Sequence, residues 1–303
     1  MGPHDIGARV TVRRRVQGEL SDVVGDLEAF DDASVAVRTA DGTLVAVPSP
    51  DVVAARVVGP STRAAVDLEG VAARAWPAPD SHWLGRWWLR AAGGFTARAN
   101  SVRPLGPPGV AADDALDAVR EWYATRGLPP RVQVVVGSSL DRDLARRGWS
   151  AAPQVRVMTA TLSLLASRLD GCDSSRVEVG DVASSDWLSL FRGGGAPPVA
   201  REILEGPDSV GLATLSDDEG AAVAIGRAVA EPPWLGLTAI EVAPHARRRG
   251  HGRAVMAGLS AWGRHHGAVR AYLEVLATNE PAIALYQSLG FVEHHRYTCR
   301  EAP

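Results

Sequence analysis

Residues 242–256 read V-A-P-H-A-R-R-R-G-H-G-R-A-V-M and set Arg247, Arg248, Arg249 and Arg253 around Gly250, His251 and Gly252. Cations crowded against two glycines, between an apolar run and a helical pattern, call for an anion. A helix start leaves about four backbone N–H groups without internal partners, and the aligned peptides add about half a positive charge there. Glycines let a phosphate come close to those amides. The stretch therefore suits a pyrophosphate, with the arginine side chains as charge support at the rim.

Three nucleotide-binding patterns compete for this stretch. A P-loop requires a lysine, and the chain has none: all 32 of its basic residues are arginine. A dinucleotide fingerprint wants G-x-G-x-x-G directly after the strand, whereas here Val255 follows the two glycines and seven residues separate Val242 from Gly250. Glu274 stands at a tolerable distance for the ribose contact of that fold, so this reading stays open. The third pattern fits throughout. Arg247, Gly250 and Gly252 match R/Q-x-x-G-x-G/A, with Val242 and Pro244 supplying the V-x-P before it, and Asn279, Tyr286, Gly290 and Phe291 in Y-L-E-V-L-A-T-N-E-P-A-I-A-L-Y-Q-S-L-G-F form a second signature downstream. On these two motifs, residues 172–300 resemble the GNAT (Gcn5-related) N-acetyltransferases.

The resemblance implies acetyl-CoA as cofactor. Its pyrophosphate would take the amides of Arg248, Arg249, Gly250, His251, Gly252 and Arg253. Its pantetheine would pair with the backbone of Ile240 and Val242 in a slot where two strands splay apart, and Asn279 would add a contact. The Val242 amide would steady a developing oxyanion, as preorganised backbone donors do in acyl transfer. The family's matching tyrosine is the acid toward the sulfur, which makes Tyr286 the expected proton donor. For the base, strand alternation puts Tyr272, Glu274 and Leu276 on one face. Glu274 precedes Tyr286 by 12 residues, a spacing that resembles the ribosomal-protein N-terminal alanine acetyltransferases. Glu241 is the second candidate, expected to face away because it directly precedes Val242, and a water relay is the third. Asn279 doubles as a helix N-cap ahead of Pro281. Acceptor contacts are expected from the glycine-rich residues 191–202 and from His294, His295 and Arg296.

The elements that must position these residues show an internal repeat. Residues from Ala115 and from Ala257 each read as helix, glycine, strand, helix, Gly-aromatic, strand. Trp122 and Trp262 stand five residues before Gly127 and Gly267, and the next Gly-aromatic pair follows 21 residues later in one copy (Gly148, Trp149) and 23 in the other (Gly290, Phe291). The first copy has N-S-V-R-P-L-G-P-P-G-V where the second has its arginines, so only the second is expected to hold an anion. Residues 6–58 read as short strands with a turn at 40–42, and Arg13, Arg14 and Arg15 read as charge protecting an exposed strand edge. The expected architecture is α/β (α+β): an SH3-like β-barrel at 1–60, a degenerate GNAT-like half at 65–165 that packs and shapes, and a catalytic GNAT domain with a mixed central sheet at 170–303. This layout resembles a group of two-part actinobacterial GNAT proteins.

Composition excludes several classes. Of the residues, 46% are hydrophobic and 22% charged, with a net charge of -3, which is ordinary globular usage and argues against a general nucleic-acid binder. Apolar runs fall short of a membrane span and the first ten residues lack a signal-peptide pattern, so a cytoplasmic protein is expected. Cys172 and Cys299 make neither a disulfide framework nor a zinc site, and the adjacent pairs His265–His266 and His294–His295 lack a supporting ligand cluster, so no metal is expected. The function expected is direct acetyl transfer to an amine of a protein, peptide or small molecule. The alternative is a regulatory acetyl-CoA-binding module whose barrel contacts protein or nucleic acid. A homodimer is compatible with the sequence.

Overall fold

The computed structural model describes residues 1–2, 5–39 and 42–303; the turn expected at 40–42 has Ala40 and Asp41 outside them. The N-terminal unit has five antiparallel strands, β1 (Arg9–Val16), β2 (Glu19–Phe30), β3 (Ser34–Thr39), β4 (Leu44–Pro48) and β5 (Val52–Val57), in the order β4-β3-β2-β1-β5. Alternation turns Val10, Val12, Val23, Leu27, Val35, Val37 and Val47 into one buried cluster. The arginine run corrects one expectation. β1 lies inside the sheet between β2 and β5, so Arg13 protects no edge; it pairs with Asp22 on β2 at 2.8 Å.

The first half of the remaining chain runs α1 (Thr62–Ala75), β6 (Asp80–Leu84), β7 (Trp87–Ala91), β8 (Arg103–Pro104), α2 (Ala112–Ala124), β9 (Arg131–Val135), α3 (Ser139–Arg146), β10 (Ser150–Ala151) and β11 (Val155–Thr161). After α4 (Leu162–Arg168) and β12 (Val177–Gly180), the second half continues with α5 (Ser185–Leu190), α6 (Val199–Glu205), β13 (Val210–Ser216), β14 (Ala222–Glu231), β15 (Trp234–Val242), α7 (His251–His265), β16 (Arg270–Leu276), α8 (Glu280–Ser288) and β17 (Val292–Glu301). The halves share a plan. β13, β14 and β15 are antiparallel and β15 then runs parallel to β16, while β6, β7 and β8 are antiparallel and Val102 then bridges in parallel to Val132 of β9.

The halves do not close separately. β11, the last strand of the first half, inserts between β16 and β17, and β17 pairs on its other side with β9. Each half's closing strand thus completes the other half's sheet, and one mixed sheet runs across residues 165–170. On one face, Val255, Met256 and Leu259 of α7 pack with Leu165 of α4 and Ile283 of α8. On the other, Leu68 of α1, Trp187 of α5 and Ile203 of α6 cover the sheet. Burying each such side chain contributes about 1.5–3 kcal/mol. No described helix is long and apolar enough to cross a membrane.

Candidate active site

The site begins where two parallel strands part. β15 and β16 pair from Trp234↔Arg270 to Leu237↔Leu273 and no further. Beyond that point, residues 238–242 turn half-exposed although they lie mid-sheet. Their other edge stays paired with β14, across a bulge where Ile225 opposes Glu241 and Arg227 opposes Thr238. Ala239, in the bulge, has φ +53°, outside the ordinary strand region. Ile240 and Val242 pack their side chains toward the α7 core, so what they offer the slot is backbone. Ala243 N–H donates to Val223 O at 2.9 Å, which makes Val242 and Ala224 a non-hydrogen-bonded pair and turns the Val242 N–H toward the open edge.

The slot ends at α7. Gly250 is its N-cap at φ +85°, in the left-handed region where glycine alone is unstrained, and it supplies no side-chain cap. Among the described residues, the N–H groups of residues 248–252 donate to no backbone acceptor. Arg247 folds back, its Nε 3.3 Å from Val242 O, and Arg253 donates to Ser288 Oγ at 3.0 Å. Arg248, at φ +62°, carries the turn. Asn279 caps α8 through Ala282 N–H at 3.3 Å. Tyr286 lies on α8 with its ring edge-on to Phe291, and burial raises its hydroxyl pKa.

Beside the open edge lies a cavity of about 370 Å³ lined from both halves: Ala239, Glu241, Glu274 and Leu276 on the splayed strands, Phe191 and Arg192 from the glycine-rich loop, and Trp76, Thr96 and Arg98 from the first half. Glu241 does not face away as expected. It lines this cavity half-buried, accepts the Arg192 N–H at 3.1 Å, and has its pKa raised by burial against that hydrogen bond. Glu274 also reaches the cavity, but its carboxylate is 3% exposed and ion-paired with Arg98. His294 and His295 part from the expected acceptor side. His294 lines a separate cavity against the N-terminal unit, with Asp26 and Arg270, and His295 bonds Glu69 at 2.8 Å. Burial lowers their pKa values to about 3 and about 4, so both stay neutral. Arg296 pairs with Glu293, and it is Tyr297, one residue on, that lines this cavity.

Residues 62–300 match the family model described as the C-terminal part of the probable histone acetyltransferase Rv0428c, and residues 4–56 match that protein's N-terminal Sm-like domain. Rv0428c of Mycobacterium tuberculosis is 33% identical over 98% of this chain and 95% of its own length. The chain belongs to the GNAT N-acetyltransferases. An uncharacterized N-acetyltransferase, YobR of Bacillus subtilis, is 30% identical over 75% of this chain and 96% of its own length. A GCN5-related N-acetyltransferase from Kribbella flavida shares the fold at a TM-score of 0.58, with 18% identity, over 82% of this chain and 97% of that one.

GNAT enzymes use acetyl-CoA, and this one has the fittings. Among the described residues, the N–H groups at 248–252 and those on the open edge of β15 find no acceptor, which a pyrophosphate and an amide-bearing arm can supply. The first half of this GNAT enzyme could not do the same. Pro107 and Pro108 lack N–H groups, Gly85 sits so close to Pro108 that an added Cβ would lie 2.2 Å from its carbonyl oxygen, and Asp113 and Asp114 put negative charge in the first turn of α2. What sequence reasoning missed is the first half's share of the cavity beside the open edge. Arg98 meets Glu274 across 176 positions, and nothing local in F-T-A-R-A-N marks it.

Proposed function

We propose that the enzyme transfers acetyl directly from acetyl-CoA to an amine held in the cavity, within a ternary complex, with Glu241 as base and Tyr286 as acid. The observation that carries this reading is the half-buried Glu241 carboxylate on the cavity wall beside the open edge of β15, while Glu274, the base expected from spacing, is held in its ion pair with Arg98. Acetyl-CoA supplies the acyl group as a thioester, whose C–S bond breaks as the N–C bond forms. The Glu241 carboxylate takes the proton from the acceptor's ammonium. Burial keeps the proton on the Tyr286 hydroxyl, ready for the departing thiolate, and the second proton, which the nitrogen sheds as the amide forms, restores that hydroxyl. The Val242 N–H and the N–H groups of residues 248–252 orient the ligand.

A single carboxylate base suits an amine that is easily deprotonated. At pH 7 about 10% of an α-amine is already neutral, against under about 0.1% of a lysine side chain. The Rv0428c name speaks of histones. A shorter relative, the bS18-alanine N-acetyltransferase of Salmonella typhimurium, is named for alanine and is 39% identical over 29% of this chain and 59% of its own length. We favour an α-amine or another low-pKa amine. The test is CoA thiol release over a panel of α-amine peptides, lysine peptides and small amines, with both substrates varied. Intersecting initial-rate lines are expected, and Tyr286→Phe should lose about 100-fold or more in kcat with acetyl-CoA affinity kept. Parallel lines would exclude the ternary complex, and unchanged turnover would remove Tyr286.

A further inference from the structure

The acceptor cavity carries more charge than one proton transfer requires. Besides Glu241 and Glu274 it is lined by Arg98 and Arg192. Arg98 stands on residues 92–101, a loop of the first half that is tied down from within. The fully buried Asn100 accepts the N–H groups of Ala92 and Gly94 at 2.8 and 3.0 Å and donates to the carbonyls of Phe95 and Thr96, both at 2.8 Å. The buried Arg90 holds the carbonyls of Arg98, Ser101, Ala73 and Trp76. Such a loop fixes one guanidinium in one place. It lies over the Trp76 ring, 4.5 Å from the centroid, and gives Nη1 to Glu274. Its remaining N–H groups have no partner among the described residues, and the side chain is 24% exposed. Arg192, over the Phe95 ring at 5.5 Å, makes no ion pair among the described residues.

We infer that the acceptor amine also carries a carboxylate, which binds the open edge of the Arg98 guanidinium while the amine sits against Glu241. The planar fork of an arginine matches a carboxylate in two parallel hydrogen bonds. The lining holds two arginines and two glutamates, so a zwitterion leaves the formal charges of the cavity balanced, whereas a purely cationic amine adds a positive charge with no anion to offset it. The cavity volume falls in the range of small-ligand sites. The carboxylate belongs either to a free amino acid or to an acidic side chain near a peptide's N-terminus. This inference rests on the acetyl-transfer reading above and names its substrate class.

The test uses the full chain, acetyl-CoA and acceptors in matched pairs. Alanine, leucine and phenylalanine are set against their α-amides, and Ala-Asp amide against Ala-Asn amide, with rates compared per concentration of neutral amine. The carboxylate member should be preferred about tenfold or more in kcat/KM, chiefly through KM. The Arg98→Gln/Glu274→Gln double variant, which removes both buried charges together and so leaves neither unpaired, should lose the preference while binding acetyl-CoA as the wild type does. Preference among the free amino acids, or only in the dipeptide pair, supports the inference and identifies the source. Equal rates within every pair, or a preference that survives in the double variant, overturn it and leave acetyl transfer standing. Absence of thiol release with every amine, acetyl-CoA being bound, overturns the proposed function instead.

Discussion

In the proposed binding mode Gly250 acts on the cofactor through its backbone. At φ +85° a side chain is strained, yet no atom lies within 4 Å of where a Cβ would stand. Glutamate there would be opposed mainly by charge, its carboxylate at the rim of a cradle of N–H groups. Gly250→Glu is therefore expected to abolish acetyl-CoA binding in calorimetry, while Arg248→Ala, which removes only rim charge, should weaken it about tenfold, or roughly 1.4 kcal/mol. Equal damage from both would return the weight to the arginines. Glu241 gives a pH prediction. Burial raises its pKa, and in the proposed role of base it works ionised, so kcat/KM should fall as pH drops through a value above the usual glutamate value of about 4.3. Glu241→Gln should remove that acid limb and about 100-fold or more of the rate, and Glu274→Gln should leave the limb in place. The cradle was legible because a helix start and its glycines are local. The facing of Glu241 was not, because the bulge at Ala239 shifts the alternation by one residue and nothing about an alanine announces a positive φ.

At the scale of elements, the wall of the proposed acceptor cavity depends on the loop of residues 92–101. Arg90 sits beneath it, 0% exposed, holding four carbonyls without a carboxylate partner among the described residues, and desolvation lowers its pKa to about 10. A cation is kept there because the carbonyls of α1's end and of residues 98 and 101 would otherwise be buried unmet. Arg90→Met fills similar volume and leaves those carbonyls without donors, at about 1–3 kcal/mol each if unrelaxed. The variant should lower the thermal transition by several degrees and raise the acceptor KM, with acetyl-CoA affinity little changed because the carbonyls that Arg90 holds belong to residues 73, 76, 98 and 101 and none to β15 or α7. A variant that loses cofactor and acceptor together would show that the loop supports the whole sheet. The sequence reading expected acceptor contacts from residues 191–202, and Phe191 and Arg192 do reach the cavity. It had no means of finding residues 96 and 98, whose placement follows from how one half packs on the other.

The whole molecule is organised by the exchange of closing strands. The repeat was legible because helix C-caps have a local requirement: Gly127, Gly148, Gly267 and Gly290 all have positive φ, from +63° to +90°. The pairing of β11 with β16 and of β17 with β9 was not, since nothing local in either closing strand names its neighbour and the choice is made by contacts distant in sequence. Its consequence concerns independence. Residues 170–303 alone would expose the β16 edge that β11 covers over the seven pairs from Val155↔Leu276 to Thr161↔Arg270, and would leave β17 without β9. They would also lose the Ala75 carbonyl that takes Arg227 at 2.9 Å, beneath α6. An apolar edge of that length invites aggregation. The fragment 170–303 is therefore expected to be aggregated or unfolded by circular dichroism and to bind no acetyl-CoA, and co-expression with residues 62–169 should restore both. A monodisperse 170–303 that binds acetyl-CoA with native affinity would mean that the exchange adds only the acceptor wall. In that case the first half would act on specificity alone, and loss of residues 62–169 would show in the acceptor panel rather than in the fold.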